Sequence, residues 1–142
     1  MVRRQARRYL SARVAAPILE DLDRRARRLR KPRSNLVEQY IAEGLKLEAH
    51  PGISFVDTPF GRMAVLAAYR GLSIWEVVET FIVNDRSVTV TAEYLSLPES
   101  EVQIALRYYA GNREEIDGEI KANEEAADEQ EATWRREQAA LR

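Results

Sequence analysis

The chain has 142 residues, of which 45% are hydrophobic and 32% charged, with a formal charge of -1 and no Cys. That length allows one ordinary domain or two very small ones. The lack of Cys excludes a disulfide framework and a thiolate metal site, and no apolar run approaches the roughly 20 residues of a membrane span.

The near-zero charge hides a split. Residues 1–33 hold twelve Lys or Arg against three acidic residues, whereas residues 112–142 hold ten acidic against five basic ones. One end suits a polyanion and the other does not. The basic start lacks the apolar stretch of a signal peptide, so a soluble cytoplasmic protein with no membrane partner is expected. The apolar residues do not spread as one continuous core requires. A unit of about 50 residues buries little surface alone, so the N-terminal piece is expected to complete its core by pairing with another copy, giving a dimer or a higher even-numbered oligomer.

From residue 17 to 31 the apolar residues Ile18, Leu22, Ala26 and Leu29 recur at helical spacing. Pro17 suits the first turn of that helix and Pro32 stops it. The opposite face carries Arg24, Arg25, Arg27, Arg28 and Arg30. A second helix is predicted from Arg33 to about Leu47, with Leu36, Val37, Tyr40, Ile41 and Leu45 inward. Gly44 inside it costs about 1 kcal/mol against Ala, which points to a close helix crossing.

The stretch before Pro17 reads two ways. Arg and Ala favour helix, and propensity alone extends one back towards Arg3. Alternation favours a strand, because Leu10, Ala12 and Val14 are apolar while Tyr9, Ser11 and Arg13 are polar or amphipathic.

A short basic strand followed by two helices of this length resembles the ribbon-helix-helix fold of bacterial repressors and antitoxins, over residues 7–48. In that family strands from two subunits pair antiparallel and enter the major groove. The resemblance implies that Tyr9, Ser11 and Arg13 face bases while Leu10, Ala12 and Val14 sit on the helices. Arg13 can address guanine bidentately, a pairing worth about 1–3 kcal/mol of discrimination. Arg3, Arg4, Arg7 and Arg8 are expected on phosphates, as are Arg33 and Ser34 at the start of the second helix. Tyr9 stands where Arg, Lys or Thr is commoner.

His50-Pro51-Gly52 breaks the helix, and a short extended region follows to Leu66. Ser73 and Glu76 have capping-box spacing before an uninterrupted stripe of Ile74, Val77, Val78, Phe81 and Ile82. Asn84-Asp85 ends that helix. Ser96 with Glu99 has the same signature and is expected to open another helix, with Val102, Ala105, Leu106 and Tyr109 inward and Gly111 closing it. Ser87-Val88-Thr89-Val90-Thr91 reads locally as a strand, although Val88, Thr91, Ala92 and Leu95 also fit a helix.

The order His50-Pro51-Gly52-Ile53, Ile74-Trp75-Glu76-Val77-Val78, Leu97-Pro98-Glu99, Ala105-Leu106-Arg107-Tyr108-Tyr109 and Arg113-Glu114-Glu115-Ile116-Asp117 resembles the family filed as domain of unknown function 433. That likeness implies a small three-helix, helix-turn-helix-like domain found in antitoxins. It makes residues 88–95 helical and residues 98–110 the recognition helix, with Ser100, Gln103 and Arg107 as a second candidate DNA surface. Glu93, Glu99 and Glu101 make that surface net acidic, and a packing module fits the charge better.

Trp75 beside the apolar stripe reads as core or interface, and His50 as part of a turn. A single His and no Cys give a zinc site little material. There is no glycine-rich phosphate loop and no Ser nucleophile with an identifiable partner, so no catalytic, metal or cofactor site is expected.

After Gly111 the chain is a helix former rich in Glu and Ala, with Gly118 a weak point. Ile116, Ile120, Ala127, Trp134 and Leu141 fall near one thin stripe, and a solitary Trp in a charged helix commonly anchors an interface. The antitoxin resemblance implies that Ile116, Ile120, Trp134 and Leu141 dock on a PIN-like, Mg-dependent ribonuclease toxin, with Arg135 or Arg136 reaching its metal site.

The expectation is a mainly α chain in three parts: a ribbon-helix-helix DNA-binding and dimerisation domain (1–49), a helix-turn-helix-like domain (50–111) and an acidic helical toxin-binding tail (112–142). Its function would be that of an antitoxin that represses its own operator. The alternative is a stand-alone ribbon-helix-helix regulator without a toxin.

Overall fold

The computed structural model describes residues 6–142 and is mainly helical with one two-stranded antiparallel sheet. It divides into two units, the first ending at Glu43 and the second running from Gly44 to Arg142.

In the first unit, residues 6–15 carry no regular structure and are exposed throughout. Helix α1 spans Ala16–Leu29. It starts from an extended Ala15 with Pro17 in its first turn, where a missing N–H leaves no bond unmade. It ends at Arg30, whose left-handed backbone (φ 53°) closes a reverse turn in which Lys31 N–H donates to the Ala26 carbonyl at 3.1 Å. Pro32 then forbids continuation, and α2 spans Arg33–Ala49.

Only Ala26 and Leu36 are buried on these two helices. The expected inward positions Ile18, Tyr40, Ile41 and Leu45 are exposed instead. Two short helices offer each other one line of contact, which leaves the rest of each apolar stripe uncovered. Nor does Gly44 mark a close crossing, since a Cβ built there meets nothing within 4 Å.

The second unit opens with a hairpin. Strand β1, Ile53–Thr58, pairs antiparallel with β2, Gly61–Leu66, in the register Ile53↔Leu66 through Thr58↔Gly61. Thr58 Oγ1 ties the two-residue turn, accepting from Phe60 N–H at 3.2 Å and donating to the Gly61 carbonyl at 2.7 Å. Alternation puts Ile53, Phe55, Ala64 and Leu66 on one face, against the core.

Helix α3 spans Ile74–Val83, α4 Val88–Leu95, α5 Glu99–Gly111 and α6 Arg113–Ala140. The capping box before α3 is formed, with Ser73 N–H donating to Glu76 Oε2 at 2.8 Å. The β-branched run at Val88 is helical: Ser87 caps it through Val90 N–H, and Thr91, fully buried, donates its hydroxyl to the Ser87 carbonyl at 2.7 Å. Burial on one helical face therefore overrides β propensity there.

Ser96 does not cap the next helix. It is the left-handed C-cap of α4 (φ 54°), and α5 starts from an extended Pro98. Gly111 is the last residue of α5, and Asn112 is its C-cap. Gly118 does not interrupt α6, a helix of 28 residues.

The core joins the hairpin face to Ile74, Val77, Val78, Val102, Ala105, Tyr108 and Ile116. Trp75 packs on it half-buried. No helix among the described residues is long and apolar enough to cross a membrane.

Candidate nucleic-acid interface and partner arm

The basic segment before α1 presents both of its alternating sets to solvent. Tyr9 is 95% exposed, Ser11 and Arg13 are exposed beside it, and so are Leu10, Ala12 and Val14, the set expected to lie on the helices. Residues 6–15 form no strand. A ribbon of the expected kind needs a second strand to supply its hydrogen bonds, and residues 6–15 have none to pair with here.

Arg3 and Arg4 lie outside the described residues. Arg7 reaches to 3.9 Å of Glu38, both largely exposed, a pair that solvent screens heavily. Arg8 is exposed. Arg33, expected on phosphate, ion-pairs with Asp23 of α1 at 3.1 Å, while Ser34 remains exposed in the first turn of α2. An anion at that helix end would compete with Asp23 for Arg33.

In the second unit Ser100, Gln103 and Arg107 lie exposed along α5 at spacings of three and four residues, so they share one face. Glu99 and Glu101 stand in the first turn of α5, where the helix dipole favours acids, and Glu99 accepts from Thr89 Oγ1 at 2.7 Å. The N-terminal end of this face, at Ser100, is thus flanked by acids, which opposes phosphate there. Among the described residues, no group of three or more His, Asp or Glu side chains is placed to hold a metal ion.

Helix α6 changes character along its length. Its base is built into the core. Ile116 is fully buried and Ile120 packs against the core, so neither is free for a partner as expected; four residues apart, they lie on successive turns of the face that α6 lays on α3 and α5. At the junction Tyr109 donates to Asp117 at 2.7 Å and Arg113 stacks over the Tyr109 ring at 5.4 Å. Beyond Glu124 nearly every residue is exposed, including Trp134 at 59% and Leu141 at 81%. Arg135 pairs with Glu131 one turn back, and Arg136 donates to Thr133 Oγ1 at 3.0 Å. These local partners hold both guanidinium groups near the helix surface.

A polar cluster that no local pattern announces fastens the last turn of α2 to α6. Lys46 pairs with Glu115, Tyr108 donates to the other oxygen of Glu115 at 2.9 Å, and His50 sets its ring edge-on to Tyr108 at 5.1 Å. Glu119 lies half-buried one turn further along α6. Burial, with Glu115 adding to it against the opposing pull of Lys46, raises its pKa from 4.5 to about 7. Its Oε2 is enclosed and accepts no hydrogen bond from the described residues. Glu79 on α3 is also raised, by burial first and then by Glu124 and Glu76.

Compared with family models, with curated proteins and with solved structures, the chain matches none in any of the three.

Proposed function

We propose that the chain is an antitoxin of a type II toxin–antitoxin system, a dimeric autorepressor whose basic end binds operator DNA and whose free helical arm binds and inhibits a PIN-like ribonuclease. One observation carries this reading: the two ends are oppositely charged and each leaves its apolar residues uncovered. Leu10, Val14, Ile18, Tyr40 and Ile41 are exposed in a unit with two buried residues, and Trp134 and Leu141 are exposed on a helix that packs only at its base. Exposed apolar residues in that density mark interaction surfaces.

The first set fits a second copy of the same unit. Two copies pairing residues 9–14 antiparallel would satisfy their backbone groups, cover Leu10 and Val14, and turn Tyr9, Ser11 and Arg13 outward to bases. The second set fits a protein partner. Trp134 on α6 and Leu141 at its C-cap are seven residues apart, about two turns, with Arg135 and Arg136 beside Trp134 to meet an acidic metal site.

The test is co-expression with the product of the neighbouring gene. A stoichiometric complex that is lost on deleting residues 125–142 supports the antitoxin, and no complex leaves a stand-alone regulator. Alongside it, a gel shift on the chain's own promoter should show specific binding that Arg13→Ala weakens by about 10-fold or more, the loss of one bidentate contact. Equal affinity for unrelated duplex would sink the operator assignment.

A further inference from the structure

We infer that the outward face of α1, carried by Arg25, Arg27 and Arg28, is a second DNA contact, made to duplex phosphates without regard to sequence and separate from the base-facing segment. The inference rests on the DNA-binding reading above.

Residues 24–30 hold five arginines and no acid, and all five are exposed. Arg24 is taken by Asp21. Arg25, Arg27 and Arg28 form no ion pair among the described residues, and Asp21, which lines one surface hollow with Arg24, Arg25 and Arg28, is the ion-pair partner of Arg24, so the face stays net basic. Ala26, the buried residue of α1, lies between them in sequence and points the opposite way. At about 100° per residue, the three span roughly 160° of the helix circumference, with Arg28 between the other two.

That breadth selects the partner. A helix of about 10–12 Å diameter matches a major groove about 12 Å wide, and arginines on both flanks reach phosphates on both walls. An acidic peptide helix presents a narrower ridge and would engage one flank. Favourable placement of Arg27 and Arg28 in the last turn, near the negative helix end, accounts for two of the three but not for Arg25.

The experiment measures full-length protein by fluorescence anisotropy on two duplexes of equal length, its own promoter and a scrambled sequence, over a range of salt. A triple Arg→Gln variant at 25, 27 and 28 is expected to lose the same factor on both duplexes, about 10-fold or more. Three lost phosphate contacts should reduce the slope of log affinity against log salt by about 2.7. The triple Arg→Lys variant should keep the slope, because phosphate contact needs charge and not a planar fork, and it controls for folding together with a thermal melt. Unchanged affinity on both duplexes, or loss confined to the promoter, overturns the inference. So does tighter binding to a poly-glutamate peptide that the Gln variant abolishes, which would assign the face to an acidic protein.

The two readings fail separately. If Arg13→Ala removes promoter preference while the Gln variant changes nothing, the α1 contact falls and operator recognition stands. If neither the parent nor Arg13→Ala distinguishes the duplexes but the Gln variant binds both more weakly, the α1 contact stands and operator recognition falls. A parent that binds no duplex overturns both.

Discussion

Lys46 and Glu115, 69 residues apart in the chain, meet at 2.5 Å, with the Lys46 ammonium also within 6 Å of the Phe55 and Tyr108 ring centres. Both side chains are about two-thirds shielded, and Tyr108 beneath them is fully buried. Shielding strengthens the pair and raises the cost of breaking it. Glu115→Ala leaves an ammonium and a buried phenol without their acceptor, so it should lower stability to urea by about 1–3 kcal/mol. A loss under about 0.3 kcal/mol would mean that water replaces the carboxylate freely.

Glu119 gives stability a pH dependence whose sign is fixed. Its pKa rises from 4.5 to about 7 on folding, so between those values the folded chain holds the proton more tightly than the unfolded one. The stabilising contribution is complete below about 4.5 and is lost as pH climbs through about 7. Glu119→Gln removes the titration. Its unfolding free energy should match that of the parent near pH 5 and exceed it at pH 8, by about 1–2 kcal/mol after allowance for partial exposure. Curves that stay parallel from pH 5 to 8 would refute the assignment.

Two glycines should respond oppositely to alanine. Gly52 enters β1 at φ +94°, and a Cβ there would stand 2.9 Å from Ile104 Cδ1, so Gly52→Ala should cost about 1–3 kcal/mol. Gly44 has open space and helical surroundings, and Gly44→Ala should gain up to about 1 kcal/mol. Chemical denaturation of both variants decides it.

Trp134 should matter to a partner and not to the fold. Being exposed, its truncation to Ala should leave the melting temperature within about 1 °C, yet an anchoring Trp typically carries about 2 kcal/mol or more, so affinity for the arm's partner should fall about 30-fold. Calorimetric titration of the co-expressed partner with the variant measures that ratio.

What the sequence disclosed followed periodicity. The stripe from Ile74 to Ile82 and the Ser73/Glu76 box predict α3, because a one-sided helix and its cap are local properties. Ser96/Glu99 has the same spacing and fails, since the αL turn at Ser96 and the extended Pro98 take the boundary. Tyr108 was hidden as core: its hydroxyl looks polar in sequence, and its acceptor Glu115 arrives from α6. Among the candidate site residues, alternation predicts Tyr9, Ser11 and Arg13 outward and Leu10, Ala12 and Val14 inward, yet both sets are exposed, because residues 6–15 form no strand. The pairing of Arg33 with Asp23 was not legible, because it depends on how α1 and α2 cross.

The free length of α6 has a consequence of scale. Beyond Glu124 the helix carries no layer of protein, and Trp134 lies ten residues on, about 15 Å at 1.5 Å per residue. A body gripping Trp134 is therefore held at a stand-off from the packed core of the second unit, with clearance for surfaces that bulge on either side of the grip. Shortening the helix by one or two whole turns would preserve the rotational phase of Trp134 while drawing the body inward. For such a partner the arm would act as a spacer as well as a contact.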